Sequence, residues 1–219
     1  TRISVCCPII KVCNSDVIVT TQHRLERTQT IMIPVVQKLS SMQRPVVLRH
    51  LLTLSDEDRR LRFGTYMSDA ALADYVQRID FARDKVFGIF AHDLALIGVA
   101  HVALDPAGRY AELGLSVEPS RRGNGYGLAL LNRGKLSAIT RGYTTLFMHC
   151  LVENKIMIHL ARKAGLRIVS EQGEVDAHLQ LESTSPAAVA REALEDQIAL
   201  ADLLLKQQFN WFFPVNRAA

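Results

Sequence analysis

The chain has 219 residues, of which 48% are hydrophobic and 22% charged, a composition typical of soluble globular proteins. It contains no run of about 18 apolar residues, so no membrane-spanning helix is expected. Residues 1–44 carry six basic and two acidic side chains and account for the whole net charge of +4, but they hold no aromatic residue, so no nucleic-acid-binding surface is expected.

The cysteines do not predict a metal site. Cys6, Cys7 and Cys13 lack the paired spacing and the histidine partners of a zinc site. Cys150 stands alone in an apolar segment and is expected to be a buried small hydrophobe. This cysteine usage fits a reducing cytoplasm, and no metal is predicted.

Residues 1–44 mix β-forming residues without a regular period, and we interpret them as an extension outside the main domain. One hypothesis is that they include sequence upstream of a natural start at Met32 or Met42. Mass spectrometry of the protein made from its native gene would refute it by finding peptides that precede Met32.

From residue 46 the pattern becomes regular. Residues 46–51 suit a first strand, and Ser55 and Ser68 each suit the N-cap of a helix. The remaining predicted elements are strands at 85–91, 94–104, 110–117 and 144–151, helices at 127–140 and 153–164, and a closing hairpin at 166–170 and 175–181.

A glycine-rich run lies between the strand that ends at Val117 and the helix that follows. The run is Arg122-Gly123-Asn124-Gly125-Tyr126-Gly127. Its glycines lack the Cβ atoms that would hold a ligand away from the backbone, and their N–H groups can point together at a helix N-terminus. The run therefore predicts a pyrophosphate site, with an added positive charge from its arginine, although such glycines can also serve a turn alone.

Two nucleotide-binding motifs are excluded. A Walker loop requires Ser or Thr after its Gly-Lys pair, whereas Leu136 follows Gly134-Lys135. The third glycine of a Rossmann fingerprint would fall on Leu128 or Leu130, depending on which glycine begins the motif.

Residues 117–127 resemble the acetyl-CoA signature Arg/Gln-x-x-Gly-x-Gly/Ala of the GNAT superfamily of N-acyltransferases. The segment from Asn154 to Leu166 resembles a later helix of the same family. The similarity spans about residues 45–183 and implies the GNAT fold, an α/β (α+β) arrangement in which helices flank a mixed, mostly antiparallel sheet. Residues 184–219 would then form a C-terminal helical extension.

A narrower resemblance lies upstream. Leu61-Arg62-Phe63 and residues 68–81 are similar to the opening of the acetyltransferase domain in bacterial protein-lysine acetyltransferases. The resemblance implies a cytoplasmic enzyme that moves an acetyl group from acetyl-CoA to the primary amine of a protein lysine or a small molecule, without a nucleic-acid or membrane partner. Two alternatives stay open: a catalytically idle CoA-binding regulatory module, and a different acyl donor such as succinyl- or propionyl-CoA.

The resemblance also implies which residues hold acetyl-CoA as co-substrate. The strand backbone would pair with the pantetheine arm, and the glycine-rich loop would hold the pyrophosphate. Asn154 either contacts the CoA arm or caps the helix that it begins. The expected cofactor-binding residues are Leu115, Ser116, Val117, Arg122, Gly123, Asn124, Gly125, Tyr126, Gly127, Leu128 and Asn154.

Two residues are candidates for the catalytic base. Glu112 lies on the strand beside the cofactor, where several related lysine acetyltransferases carry an acidic base; the alternative is that it only pairs with a cation. His149 lies on the next strand, where some ribosomal-protein acetyltransferases carry a catalytic Glu, and it is also compatible with a structural role. His101 and His159 are expected to be structural.

No general acid is assignable. Many GNAT members place a Tyr in the later helix to protonate the departing thiolate, and alignment on Asn154 and Gly165 puts Ala161 at that position. CoA thiolate is a fair leaving group, so water or unassisted departure would suffice.

Pro186 begins an amphipathic C-terminal helix, in the first turn where proline is tolerated. Its apolar positions are Leu194, Ile198, Ala201, Leu204 and Leu205, and an apolar tail follows at 209–213. Such a stripe is expected to pack on its own domain, and the alternative is a contact between two copies. The sequence is therefore compatible with a monomer or a homodimer.

Overall fold

The computed structural model describes residues 34–171 and 174–212. In this part of the chain the strands are β1 (Gln37–Leu39), β2 (Lys85–Phe90), β3 (Leu96–Leu104), β4 (Tyr110–Val117), β5 (Thr145–Leu151), β6 (Arg167–Glu171) and β7 (Glu174–Gln180). The helices are α1 (Arg44–Leu52), α2 (Asp56–Phe63), α3 (Asp69–Arg78), α4 (Tyr126–Thr140), α5 (Lys155–Lys163) and α6 (Pro186–Phe212).

The strands form one sheet in the order β1-β2-β3-β4-β5-β7-β6. Neighbouring strands are antiparallel except β4 and β5, which run parallel. The parallel register begins with Tyr110 opposite Thr145 and ends with Glu112 opposite Phe147. Because both strands continue beyond that pair, they diverge and leave an open wedge. The mixed, mostly antiparallel GNAT fold predicted from the sequence is confirmed.

Helices cover both faces of the sheet, and each face has its own apolar core. On one face α4 packs Leu130 and Leu131 against strand residues that include Val102 and Leu113. On the other face α1 and α3 pack against β2 and β3 through Val47, Leu51, Leu72, Val76, Val86 and Val99. Each fully buried side chain of this size contributes about 1.5–3 kcal/mol, so the two cores fix the strands that carry the site.

The strand predicted at residues 46–51 is wrong, because these residues lie in helix α1 and the first strand, β1, precedes them. Val47, His50 and Leu51 are the buried residues of α1, and their i, i+3, i+4 spacing is that of one helix face. Pro45 occupies the first turn, where its missing N–H costs nothing. The neighbouring valines favour a strand locally, but packing against the sheet decides for a helix.

Strand β1 lies within residues 1–44, so the sheet begins upstream of the boundary expected at residue 45. Residues 1–33, with Met32 and the three N-terminal cysteines, lie outside the described residues. The division into 1–44, 45–183 and 184–219 remains a prediction.

The predicted helix starts at Ser55 and Ser68 are confirmed. The Ser55 Oγ accepts a hydrogen bond from the backbone N–H of Asp58 at 3.1 Å, and the Ser68 Oγ accepts one from that of Ala71 at 3.2 Å. Each cap satisfies an N–H group that the first turn of a helix leaves free. The caps therefore fix where α2 and α3 begin.

The C-terminal helix is confirmed, but the expectation that its apolar stripe packs on the domain is wrong. Arg133 of α4 is only 2% exposed and contacts Glu192 at 3.2 Å and also Asp196. The Gln37 side chain donates to the carbonyl of Ala199 at 2.9 Å. The predicted apolar positions are exposed instead: Leu194, Ile198, Ala201, Leu204 and Leu205. These polar contacts hold α6 on the domain with its apolar side facing away.

Candidate active site

A cavity of about 360 Å³ lies beside the end of β4 that extends beyond its pairing with β5. Its walls come from the end of β4, the glycine-rich loop, the first turn of α4, one side of α5 and one side of α2. These segments are far apart in sequence. The fold therefore gathers the regions predicted to hold acetyl-CoA around one space.

The backbone at the glycine-rich end of this cavity is arranged to bind an anion. Gly123 and Gly125 have φ values of 82° and 78°, in the left-handed region that glycine tolerates best. Gly125 is the N-cap of α4 and supplies no side-chain cap, and its carbonyl accepts from the N–H of Ala129. The first three N–H groups of α4 therefore have no partner within the helix and stand at the positive end of its dipole. Helix N-termini bind phosphate groups in this way.

Ten of the eleven predicted cofactor residues line the cavity: Leu115, Ser116, Val117, Arg122, Gly123, Gly125, Tyr126, Gly127, Leu128 and Asn154. The exception is Asn124, whose side-chain amide donates to the carbonyl groups of Arg121 and Arg122 at 3.0 and 3.3 Å. Asn124 therefore stabilises the loop from within.

Arg122 is held by two contacts inside the protein. Its Nη2 donates to Oδ1 of Asp58 on α2 at 2.7 Å, and its Nε donates to the carbonyl of Val117 at 3.2 Å. The guanidinium is thus oriented before any phosphate arrives, but it is shared with a carboxylate. Arg121 and Lys163 also line the cavity, and the sequence analysis did not single out either cation.

Asn154 caps a helix and also lines the cavity. Its Oδ1 accepts from the N–H of Met157 at 3.1 Å, and its Nδ2 donates to the carbonyl of Leu61 at 3.1 Å. The residue is 8% exposed. One side chain therefore joins α5 to α2 across the cavity, and the helix-cap interpretation of Asn154 is confirmed.

Glu112 lies where the wedge closes. It forms the last β4–β5 pair, opposite Phe147. Its neighbours in β4 belong to the core on the α4 side, so alternation places Glu112 on the opposite face of the sheet. There it lines a second cavity of about 500 Å³, whose walls include Asp105, Tyr110, Phe147 and His178. The candidate base is therefore a wall of this second cavity rather than of the first.

Arg62 of α2 lies directly over β4. A Cβ added to Gly114 would stand 2.2 Å from the Arg62 Nη1 and 2.3 Å from its Cζ, so a larger residue there would force the guanidinium to move. Gly114 is two residues from Glu112 and faces the same side of the sheet. The Arg62 Nε is buried without a hydrogen-bond partner, and the residue lines the first cavity. This cation is therefore placed where it can stabilise negative charge that develops beside the strand.

The sequence contained one signal for Arg62. It belongs to the run Leu61-Arg62-Phe63 that resembles protein-lysine acetyltransferases, but nothing in its spacing predicted contact with a glycine 52 positions later.

His149, the other candidate base, contacts Asp176 across the sheet. Its Nδ1 is 2.8 Å from Oδ1 of Asp176, its partner across the β5–β7 register. His149 is not among the residues that line either of the two cavities described above. Of the two candidates, Glu112 borders the second of these cavities.

His50 of α1 supports β4, and the sequence did not predict this role. Its Nδ1 is 3.0 Å from the carbonyl of Leu96, and its Nε2 is 3.0 Å from the Ser116 Oγ. Burial lowers the pKa of His50, so at neutral pH the uncharged ring donates to Leu96 and accepts from Ser116. The Ser116 side chain is thereby used within the protein, and this contact ties β4 to α1.

His101 belongs to a buried network, in agreement with a structural role. Its Nδ1 is 2.8 Å from the Tyr75 hydroxyl, and its Nε2 is 3.2 Å from the Asp84 carboxylate. Burial lowers the pKa of His101. His159 lines the first cavity, and its structural role stays a prediction.

Ala161 is 1% exposed and belongs to the core on the α4 side of the sheet. The position at which many GNAT members carry a tyrosine is therefore filled by packing.

Neither a metal site nor a membrane span occurs in the part of the chain described here. Residues 34–171 and 174–212 include no cluster of three or more metal-ligating His, Cys, Asp or Glu side chains. Within the same ranges, each helix is too short or too polar to cross a bilayer.

Comparison with known proteins identifies the family. Residues 48–166 match the model of the Acetyltransferase (GNAT) family, and this match covers more than half of the chain. The chain therefore belongs to the GNAT acetyltransferase family. It is an N-acetyltransferase with acetyl-CoA as its co-substrate. A comparison with curated protein sequences gave no significant match.

Several solved structures share the fold. The GNAT domain of S. lividans PAT is 23% identical, with a TM-score of 0.58 over 67% of this chain and 89% of that chain. Spermidine N-acetyltransferase from Vibrio cholerae, in complex with CoA and spermine, is 19% identical, with a TM-score of 0.56 over 67% and 95%. A phosphinothricin acetyltransferase from Sinorhizobium meliloti, in complex with AcCoA, is 16% identical, with a TM-score of 0.54 over 71% and 92%. At these identities the likeness establishes the fold alone.

Gly125→Ala is expected to weaken CoA binding about tenfold. An alanine in the left-handed region costs about 1–2 kcal/mol, and the backbone relieves this strain by moving the N–H groups at the start of α4. Calorimetric titration with CoA measures the change. Gly108→Ala is the matched control, because Gly108 has a φ of 75° in the β3–β4 turn and, like Gly125, no atom within 4 Å of an added Cβ. Equal CoA affinities for the two variants would contradict the pyrophosphate site.

Proposed function

We propose that this enzyme transfers the acetyl group of acetyl-CoA directly to the side-chain amine of a protein lysine, with Glu112 as the general base. One observation carries the proposal. Glu112 forms the last β4–β5 pair, where the wedge closes, and lies in the wall of the second cavity. Direct attack requires base, amine and thioester to meet at one point. Two residues from Glu112, on the same face of β4, Gly114 contacts Arg62, which lines the first cavity.

The first cavity suits acetyl-CoA, which when bound supplies an activated acetyl thioester. The free N–H groups of α4 and the guanidinium of Arg122 suit a pyrophosphate. Leu115 and Val117 lie beyond the last β4–β5 pair and direct their backbone groups away from β3, so they can pair with an extended pantetheine arm. Leu115 and Leu160 supply apolar walls.

Two charged groups have separate roles in the reaction. The Glu112 carboxylate takes the proton that the attacking amine must lose, directly or through water. The Arg62 guanidinium, packed on Gly114, stabilises the negative charge that develops on the carbonyl oxygen during attack. Because Ala161 is buried, no residue of α5 at that position protonates the thiolate, which leaves with a proton from water or unassisted.

The second cavity suits a cationic acceptor. It combines the carboxylates of Glu112 and Asp105 with the aromatic rings of Tyr110 and Phe147. Carboxylates and aromatic faces both attract an ammonium group. The preference for a protein lysine rests on the resemblance of residues 61–63 and 68–81 to protein-lysine acetyltransferases.

An idle CoA-binding module is the second candidate, and one observation favours it. Ala161 removes the usual acid from α5 and fills its place with packed apolar contact. Such a module would bind CoA with the same residues and release no thiol.

Thiol release from acetyl-CoA tests the proposal. Acceptors are lysine-bearing proteins, the same proteins with lysines methylated, a polyamine and free amino acids. Turnover on the unmodified proteins and loss on the methylated ones are expected. Turnover on the polyamine alone would reassign the acceptor to small amines. CoA binding by calorimetry without turnover on any acceptor would favour the idle module.

A further inference from the structure

Helix α6 has its polar side against the domain and its apolar side away from it. The inward residues recur every three or four positions and include Glu192, Asp196, Ala199, Lys206 and Asn210. The Lys206 Nζ donates to the carbonyl of Phe90 at 2.9 Å, and the Asn210 Nδ2 donates to that of His92 at 2.6 Å. A helix that only covers its own domain has the reverse arrangement. These contacts fix the orientation of α6, so its apolar side is held towards the outside of the domain.

The outward side carries an unusually large apolar surface. Its large side chains are between 49% and 84% exposed and include Val189, Leu194, Ile198, Leu200, Leu204, Leu205, Trp211 and Phe212. A whole aromatic side chain has an area of about 150–250 Å², and an aliphatic one has less. Multiplied by the exposed fractions, these areas give an exposed apolar surface of roughly 900 Å². Monomers rarely carry a patch above about 300–600 Å², whereas a stable dimer buries about 800 Å² per partner. The available area therefore matches the requirement of a dimer.

We propose that α6 pairs with α6 of a second copy of this chain, antiparallel about a two-fold axis. The side-chain sizes support this occupant. The stripe begins with the smaller Val189 and Leu194 and ends with the larger Trp211 and Phe212. Antiparallel pairing sets the large end of one helix against the small end of the other, so the two axes keep a constant separation. A two-fold axis also lets one surface serve as its own partner.

The charges on α6 disfavour a lipid surface as occupant. The helix carries two basic residues, Arg191 and Lys206, against four acidic residues, Glu192, Glu195, Asp196 and Asp202. Helices that lie on membranes carry an excess of Lys and Arg on the polar side. The dimer would also leave the acceptor side open, because α6 packs on α4 whereas Glu112 faces the opposite side of the sheet.

Sedimentation velocity of the full chain over a range of concentrations tests the dimer. The wild type is expected to give a sedimentation coefficient that corresponds to twice the mass of one chain. The double variant Ile198→Glu/Leu205→Glu places four carboxylates in the interface and is expected to raise the dissociation constant at least about 100-fold. Met42→Glu is the matched control, because Met42 is 88% exposed and lies outside α6.

Three outcomes would overturn the proposal. The first is a wild type that remains monomeric, as expected if another segment of the chain covers the stripe. The second is a dimer that the double variant leaves intact. The third is a monomer that binds vesicles of phosphatidylcholine and phosphatidylglycerol and loses this binding in the double variant, which would assign the stripe to lipid.

Discussion

Glu112→Gln is expected to lower kcat about 100- to 10,000-fold while acetyl-CoA affinity changes less than twofold. Glutamine keeps the size of the side chain but cannot accept the proton from the attacking amine, and general bases contribute rate factors of this order. Affinity is preserved because Glu112 lines the second cavity and not the first. Steady-state thiol release gives kcat, and calorimetry gives the affinity.

His149→Gln is the matched control for the base assignment. His149 is paired with Asp176 on β7, and its loss is expected to change kcat less than about threefold. A large loss in this variant together with a small one in Glu112→Gln would exchange the two roles. Equal small losses would leave deprotonation to water and would contradict a protein base.

Arg133→Met is expected to lower the free energy of unfolding by about 3–5 kcal/mol, the typical cost when one partner of a buried ion pair is removed. Arg133 is 2% exposed, and its guanidinium contacts Glu192 and Asp196 of α6 and lies 4.9 Å from the centre of the Phe87 ring. Methionine fills much of the volume but leaves Asp196 without this cation and Glu192 with Arg141 alone. Urea denaturation followed by circular dichroism measures the change.

Two further variants make this result specific. Arg191→Met removes an exposed arginine that pairs with Glu195 four residues away, and a change below about 1 kcal/mol is expected. Adding Glu192→Gln and Asp196→Asn to Arg133→Met removes the stranded charges and is expected to restore part of the loss. A triple variant less stable than Arg133→Met would contradict the electrostatic explanation.

The same contacts set a pH dependence for the docking of α6. Burial raises the pKa of Glu192, but the hydrogen bond from Thr140 and the charges of Arg141 and Arg133 outweigh burial and lower it below the ordinary 4.5. A carboxyl with a lowered pKa stabilises the folded state above the unfolded-state pKa. Its contribution is therefore complete at neutral pH and is lost as the pH falls below about 4.5.

The local parts of the site could be predicted from the sequence because their residues are consecutive. The glycine-rich loop and the caps at Ser55 and Ser68 are short motifs whose chemistry is complete within a few positions. Helix α1 was not predictable in this way. The local preference of Val46-Val47 is for a strand, and it is overridden by packing against the sheet.

The remaining features depend on contacts between distant residues. No spacing in the chain reveals that Arg62 lies on Gly114 or that His50 reaches Ser116. The period of α6 predicted an apolar stripe but not its direction, because periodicity defines a face without saying what lies opposite. That direction is decided by the buried Arg133, which has its partners about 60 residues later.

The ion pair between Arg122 and Asp58 has a consequence for turnover. The 2.7 Å contact pairs the arginine proposed to bind the pyrophosphate with a carboxylate, so in that proposal two anions share one guanidinium. In the proposed binding mode, the Asp58 carboxylate lowers the affinity for CoA and acetyl-CoA alike. An enzyme that releases CoA after every cycle gains from this competition, because a carboxylate that reclaims its arginine speeds the departure of the product.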